Sequence, residues 1–327
     1  MNGMDDSIRN STETYVELEV ASDKEDIPAL FREFSVPCDK AIRVGELGKL
    51  LIPSRVNRCS ISSRFPKHRP LAEHLASIRQ QMAAFSSLLR TWSESFSVKL
   101  LVAMYARSSR LRIRLDEETI RVLAQAGAKV DLDLYCLFRA DDVREQTGPP
   151  PTVVWTGIAQ KTNDSGVQPG DTCLADDTKA PTSATSKERV LTERCHACLT
   201  AFSSSDDLPD LFERFQLPYD DCGRKGEFSR GGFPSDLAWC SVLARVPERV
   251  ELEEQCDALT RRLGPHRETF KELSEQHRVI LEAVIFSDYT PGTHLSRDNI
   301  RMLADFNASV FLDIYCSYEP EEDFPPG

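Results

Sequence analysis

Apolar and polar positions alternate strictly along Tyr15-Val16-Glu17-Leu18-Glu19-Val20, the two-residue period of a strand with one buried face. A later stretch holding Ala197, Leu199 and Ala201 does the same. Behind each strand the period lengthens. Leu30, Phe31 and Phe34 gather on one side of a short helix, as do Leu211, Phe212 and Phe215, and a proline stops each of them. A polar loop leads to a second strand, Cys59 to Ser63 or Trp239 to Leu243. Leu71, Leu75, Ile78, Met82, Phe85 and Leu89 then recur at helical spacing and predict one long helix. Leu252, Cys256, Leu259 and Leu263 repeat that stripe, but Gly264-Pro265 must interrupt or kink it, because proline supplies no amide donor. A third strand, VKLLVAMYA or VILEAVIF, is followed by a helix capped by Asp116 or Ser296. The closing strand is VDLDLYC (Val130 to Cys136) or VFLDIYC (Val310 to Cys316). Its alternation turns Val130, Leu132, Leu134 and Cys136 to the helices, and Asp133 and Tyr135 away from them, like Asp313 and Tyr315.

The two series are one pattern read twice. At an offset of 181, DIPALFREFSVPCD (Asp26 to Asp39) lies over DLPDLFERFQLPYD (Asp207 to Asp220), and Arg43-Val44-Gly45-Glu46 falls on Arg224-Lys225-Gly226-Glu227. At an offset of 180, ETIRVLAQAGAKVDLDLYC meets DNIRMLADFNASVFLDIYC. The chain is therefore two tandem copies of an α+β domain of order strand-helix-strand-helix-strand-helix-strand. The expected architecture is a four-stranded sheet with helices mainly on one face. Residues 1–139 form the first repeat domain, 192–320 the second, and 321–327 an acidic, proline-containing tail. Residues 140–191 are rich in Pro, Gly, Ser, Thr and Asp, the composition of a flexible linker, with Val153-Val154-Trp155 its one sticky spot.

Charge separates the copies. Residues 1–140 hold 21 Lys/Arg against 18 Asp/Glu, whereas residues 192–327 hold 14 against 26. An acidic second half disfavours nucleic acid as a partner and favours a basic protein or a cation. No apolar run reaches the length of a membrane span, and the polar start MNGMDDSIRN has no leader pattern. A cytoplasmic location and reduced cysteines are expected.

Each copy resembles a bacterial family known as domain of unknown function 4279. The resemblance rests on Pro218, the Arg224-Lys225-Gly226-Glu227 loop, Trp239 and Leu312-Asp313-Ile314-Tyr315. The first copy keeps Pro37, Arg43, Gly45, Glu46 and Leu132-Asp133-Leu134-Tyr135 but has Arg58 in place of the tryptophan. Any site that needs Trp239 is expected in the second copy only. The resemblance implies no reaction; relatives resemble parts of bacterial conflict systems, including proteins that neutralise toxins.

The chemistry-bearing motifs are sparse. Cys195-His196-Ala197-Cys198 has CxxC spacing, but on a strand its thiols point to opposite faces, so no metal site is expected. GRKGEFSRGG (Gly223 to Gly232) runs into a strand and lacks the Gly-Lys-Ser/Thr ending of a phosphate loop. No cofactor and no catalytic constellation emerge. Binding candidates are Arg43, Gly45, Glu46, Arg224, Gly226 and Glu227 of the loops, where Arg and Glu are expected to pair and Gly to adopt a positive φ. Trp239 and the pairs Asp133/Tyr135 and Asp313/Tyr315 complete the set. ARSSRLRIRL (Ala106 to Leu115), expected as an extension of the third strand, puts Arg110, Arg112 and Arg114 on one face; without interleaved aromatics for base stacking, it suits a contact with the acidic second copy better than RNA. The function expected is a non-enzymatic protein-binding module, an immunity protein that sequesters a basic toxin. The alternative is a small-ligand sensor or enzyme using the cleft between the repeats, with the two Arg-x-Gly-Glu loops converging on an anion.

Overall fold

Alternation becomes sheet and the longer period becomes helix at nearly every expected place. A computed structural model describes residues 12–47, 52–106, 108, 110–136, 194–227, 235–287 and 292–316. The first repeat contains β1 (Glu13–Ser22), α1 (Ile27–Glu33), β2 (Lys40–Ile42), β3 (Asn57–Ser62), α2 (Leu71–Ala83), α3 (Ser86–Trp92), β4 (Ser97–Ala106), β5 (Arg110–Leu115), α4 (Glu117–Ala126) and β6 (Lys129–Cys136). The second contains β7 (Arg194–Ser203), α5 (Leu208–Arg214), β8 (Asp221–Gly223), β9 (Ala238–Leu243), α6 (Leu252–Leu263), α7 (Arg267–Gln276), β10 (Arg278–Ser287), β11 (Gly292–Leu295), α8 (Arg297–Asp305) and β12 (Ala308–Cys316). The linker and tail lie outside the described residues.

Local chemistry accounts for the helix ends. The Asp116 carboxylate accepts a hydrogen bond from the Thr119 amide at 2.7 Å, and Ser296 with Asn299 forms a reciprocal capping box at α8. The long helix divides in both copies. Gly264-Pro265 produces a 3₁₀ turn between α6 and α7, as expected. In the first copy α2 ends at Ala83 and α3 begins at Ser86, a division that the unbroken apolar spacing did not announce.

The sheets correct the four-stranded expectation. Each has six strands, in the orders β11-β6-β4-β1-β3-β2 and β5-β12-β10-β7-β9-β8. One added strand, β2 or β8, is three residues long and lies on the outer edge. The other is exchanged between the copies. β5 of the first repeat pairs antiparallel with β12 of the second, and β11 of the second pairs antiparallel with β6 of the first. The Arg-rich stretch is thus no extension of β4. It is a separate strand that completes the other copy's sheet, because β4 is already flanked by β1 and β6 while β12 offers an unfilled edge. Leu111, Ile113 and Leu115 are buried from that edge strand, and buried apolar side chains of both repeats form one continuous core. Sheet boundaries therefore do not coincide with repeat boundaries. Arg121 donates to Asn307 at 2.9 Å and Arg297 to the Ser93 carbonyl, adding polar ties between the copies.

Candidate functional site

Helices cover one face of each sheet and leave the other as the place where polar and aromatic side chains collect. Along β12, Val310, Leu312 and Ile314 are fully buried on the helix side, while Phe311 and Tyr315 are half-buried on the outer side. Asp313 shares that outer side and is clamped by β5. Arg110 donates through Nε to Oδ1 at 2.7 Å and through its terminal nitrogen to Oδ2. The Tyr315 hydroxyl donates to Asp313 at 3.1 Å, and the Arg110 guanidinium lies 5.0 Å from the Tyr315 ring centre. Burial alone raises the Asp313 pKa, but Arg110, the Tyr315 hydroxyl and Arg112 outweigh it and hold the carboxyl below its usual range. Tyr315 also stacks on Phe286, with centroids 5.2 Å apart.

The equivalent pair in the first sheet has other neighbours. Tyr135 stacks on Tyr105 at 4.5 Å, Tyr15 meets Tyr105 edge-on at 5.6 Å, and Lys67 lies over Tyr15. Asp133 faces Gly292 of β11 and makes no ion pair among the described residues. Instead, Lys99 bridges Glu19 and Asp131 on this outer face, with Arg58 also reaching Glu19. In the second sheet the same region is neutral in character. Thr200 bonds to Ser241 at 2.9 Å and donates to Glu282 at 3.2 Å, and burial pushes the Glu282 carboxyl up.

The Arg-x-Gly-Glu loops are built by a different pairing from the one expected. Glu46 accepts from the backbone amide of Arg43 at 2.8 Å, and Glu227 from that of Arg224 at 2.8 Å. Glu therefore does not take the guanidinium. Gly45 (φ +84) and Gly226 (φ +87) occupy the left-handed region, which turns the chain tightly enough for that amide contact. The Arg224 guanidinium instead bonds Asp207 and Asp210 at the start of α5, and Arg43 lies 3.7 Å from Asp26. The loops follow β2 and β8, each at the edge opposite the exchanged strand of its sheet.

Trp239 belongs with β8. A Cβ on Gly223 would stand 2.5 Å from the Trp239 indole nitrogen, so the ring needs a glycine beneath it. In the first copy the ladder pairs Ile42 with Arg58 at the matching place, and no ring has to be accommodated. Gly223→Ala is expected to displace the indole, shifting its fluorescence to the red and costing about 1–3 kcal/mol in a urea titration. Two strands, β10 and β7, separate Trp239 on β9 from Asp313 and Tyr315 on β12. The structure thus spreads the sequence candidates over distinct regions. It also adds residues that sequence reasoning had not joined to them: Phe286, Phe311, Arg112 and Arg114 share the outer face beside Asp313.

The thiols of the CxxC stretch are held back by burial. Cys195 is buried on the helix side and Cys198 on the outer side, and burial pushes the Cys198 thiol up to about 12. Among the described residues no group of three or more His, Cys, Asp or Glu side chains converges in a way that could hold a metal ion. Cys316 is disulfide-bonded, a departure from the expectation of thiols throughout. No helix among the described residues is long and apolar enough to cross a membrane.

Two mixed sheets, each completed by a strand from the other half, define a duplicated α+β protein whose outer sheet faces carry its polar and aromatic clusters. The chain belongs to the family described as Domain of unknown function (DUF4279), whose profile matches residues 12–137 and again residues 193–317, one match per repeat. No curated protein matches the chain.

Proposed function

We propose that the protein is a non-enzymatic binding module that neutralises a basic toxin by sequestering it. The observation that carries this reading is the charge on α6 and α7. Glu254, Glu268, Glu272 and Glu275 are exposed on these two helices and make no ion pair among the described residues, outnumbering the exposed and likewise unpaired Arg261 and Lys271. Glu268, Glu272 and Glu275 share one face of α7 at helical spacing, and carboxylates in excess attract a basic partner over several ångströms and raise its association rate. The duplicated architecture supports the same reading, since it supplies extended surfaces rather than converging reactive groups. The Arg-x-Gly-Glu loops are committed to internal bonds at the outer edges of their sheets, and this favours the binding reading over an anion site between the repeats.

The test is co-expression with basic toxins encoded beside the gene. The wild-type chain is expected to restore growth against one of them and to bind it stoichiometrically. The E254K/E268K/E272K/E275K variant should slow association at least tenfold at low salt. Unchanged association by a correctly folded variant would remove the acidic helices from the mechanism.

A further inference from the structure

β5 brings its arginines to a surface that the first repeat does not own. In the ladder Arg110 stands opposite Tyr315, Arg112 opposite Asp313 and Arg114 opposite Phe311. The next strand places Phe286, Val284 and Glu282 beside them, and β7 follows with Arg194, His196 and Cys198. These four strands and alternate positions span roughly 14 Å in each direction. The aromatic neighbours that are missing around RLRIRL in the sequence are supplied by the other repeat through strand exchange.

The charges on this patch favour an anion. Arg110 is occupied by Asp313, and Arg112 lies 3.9 Å from the same carboxylate with its side chain 59% exposed. Arg114 is exposed and makes no ion pair among the described residues, and Arg194 adds a further exposed cation. Against these stand Asp313, already paired, Glu248 beside His196, and Glu282, whose carboxyl burial pushes up. His196 lies 3.6 Å from Glu248. Phe311 makes no ring contact among the described residues, whereas Tyr315, Phe286 and Arg110 form a stack beside it.

Arginines on an edge strand can serve merely to discourage pairing with other chains. The first sheet argues against that as the whole explanation. Its exchanged strand, β11, also forms a sheet edge, yet it carries Gly292 and His294 where β5 has Arg112 and Arg114, and His294 turns to Glu253 at 2.5 Å. Tyr105 and Tyr135 stack there too, but beside Asp131 and Asp133. One chain therefore carries two aromatic sheet faces that differ in their cations: in the first Lys99 and Arg58 are tied to Glu19 and Asp131, whereas in the second Arg114 stands exposed at the edge with no ion pair among the described residues. Sheet faces with exposed rings beside cations bind two or three bases by stacking, while the cations hold the phosphates.

We propose that the outer face of the second sheet, at its exchanged edge, binds single-stranded nucleic acid, with phosphates on Arg112 and Arg114 and bases against Phe311 and the Phe286–Tyr315 stack. An acidic peptide would use the arginines but gain nothing from a free ring. The experiment is fluorescence anisotropy of labelled oligouridine and oligothymidine, about ten nucleotides long, with the full chain at rising salt. Saturable binding is expected, with affinity falling on a log–log slope of about −1.5 to −2, as two or three phosphate contacts to a single strand require. R112Q/R114Q should weaken binding at least tenfold and flatten the slope, whereas R112K/R114K should keep it. Phe311→Leu should weaken binding about fivefold or more without changing the slope. Thermal melts establish that each variant is folded. A preference for either sugar supports the proposal and identifies the strand. No binding at low salt, equal binding of an oligoglutamate peptide, or an unaltered affinity for Phe311→Leu would each overturn it.

Discussion

Cutting the chain between its repeats will leave the two halves together. With a protease site introduced near the middle of residues 140–191 and a reductant present to open the Cys316 disulfide, the two fragments are expected to co-elute as one stoichiometric species. The reason lies in the edges. β5 buries Leu111, Ile113 and Leu115 in the sheet of the second repeat, and burying such side chains contributes about 1.5–3 kcal/mol each. β11 returns the exchange with Leu295, and α4 packs on α8 across the divide. The sum of these terms is comparable to the whole stability of a domain, so separation amounts to unfolding both halves. Either fragment made alone should self-associate or aggregate through its unfilled edge, which light scattering after size exclusion will read. Two independent monomeric fragments would refute the exchanged topology.

Asp220→Asn should be the most costly single polar change in the second repeat, at about 2–3 kcal/mol. The Asp220 side chain is 7% exposed and receives the guanidinium of Arg262, that of Arg245 at 2.5 Å and the Leu243 amide at 2.8 Å. Replacing it leaves Arg262, itself largely buried, without its countercharge. Burial works to raise the Asp220 pKa, but the Arg262 and Leu243 hydrogen bonds and Arg245 override it and hold the carboxyl below its usual range. A carboxyl depressed on folding contributes stability that is complete above its unfolded pKa of about 4 and is lost as pH falls towards the folded value. Denaturation midpoints at descending pH should therefore drop for the wild type below about pH 4 and drop less for the variant. The first repeat supplies the control. Asp39 at the matching position is exposed and accepts the Ser62 amide, with Gln81 where the second copy has Arg262. Asp39→Asn should cost well under half as much.

The contrast between these two aspartates also shows what a sequence discloses. The repeat, the alternating strands, the caps at Asp116 and Ser296 and the positive φ of Gly45 and Gly226 follow from local rules, and all were readable. The exchange was not. RLRIRL announces a strand with one buried face, yet any open edge satisfies its backbone, and the choice of β12 depends on contacts some two hundred residues away. The division between α2 and α3 was hidden because Met82, Phe85 and Leu89 keep helical spacing across it. The loop glutamates were assigned to guanidinium partners because spacing cannot distinguish an arginine's side chain from its own amide. The patch around Phe311 was invisible for the same reason as the exchange, since its arginines and its rings come from different repeats.

Reciprocal strands also impose an order on synthesis. When β6 leaves the ribosome, the strand that will cover its edge has not been made; Leu295 follows Cys136 by 159 residues. At about 5–20 residues per second that interval is roughly 8–30 s, during which the first repeat waits with an open edge and β5 has nowhere to go. Translation of the second half thus finishes the first. A chain that stops within residues 140–291 leaves the first sheet without β11, so that sheet closes only once synthesis has passed Leu295.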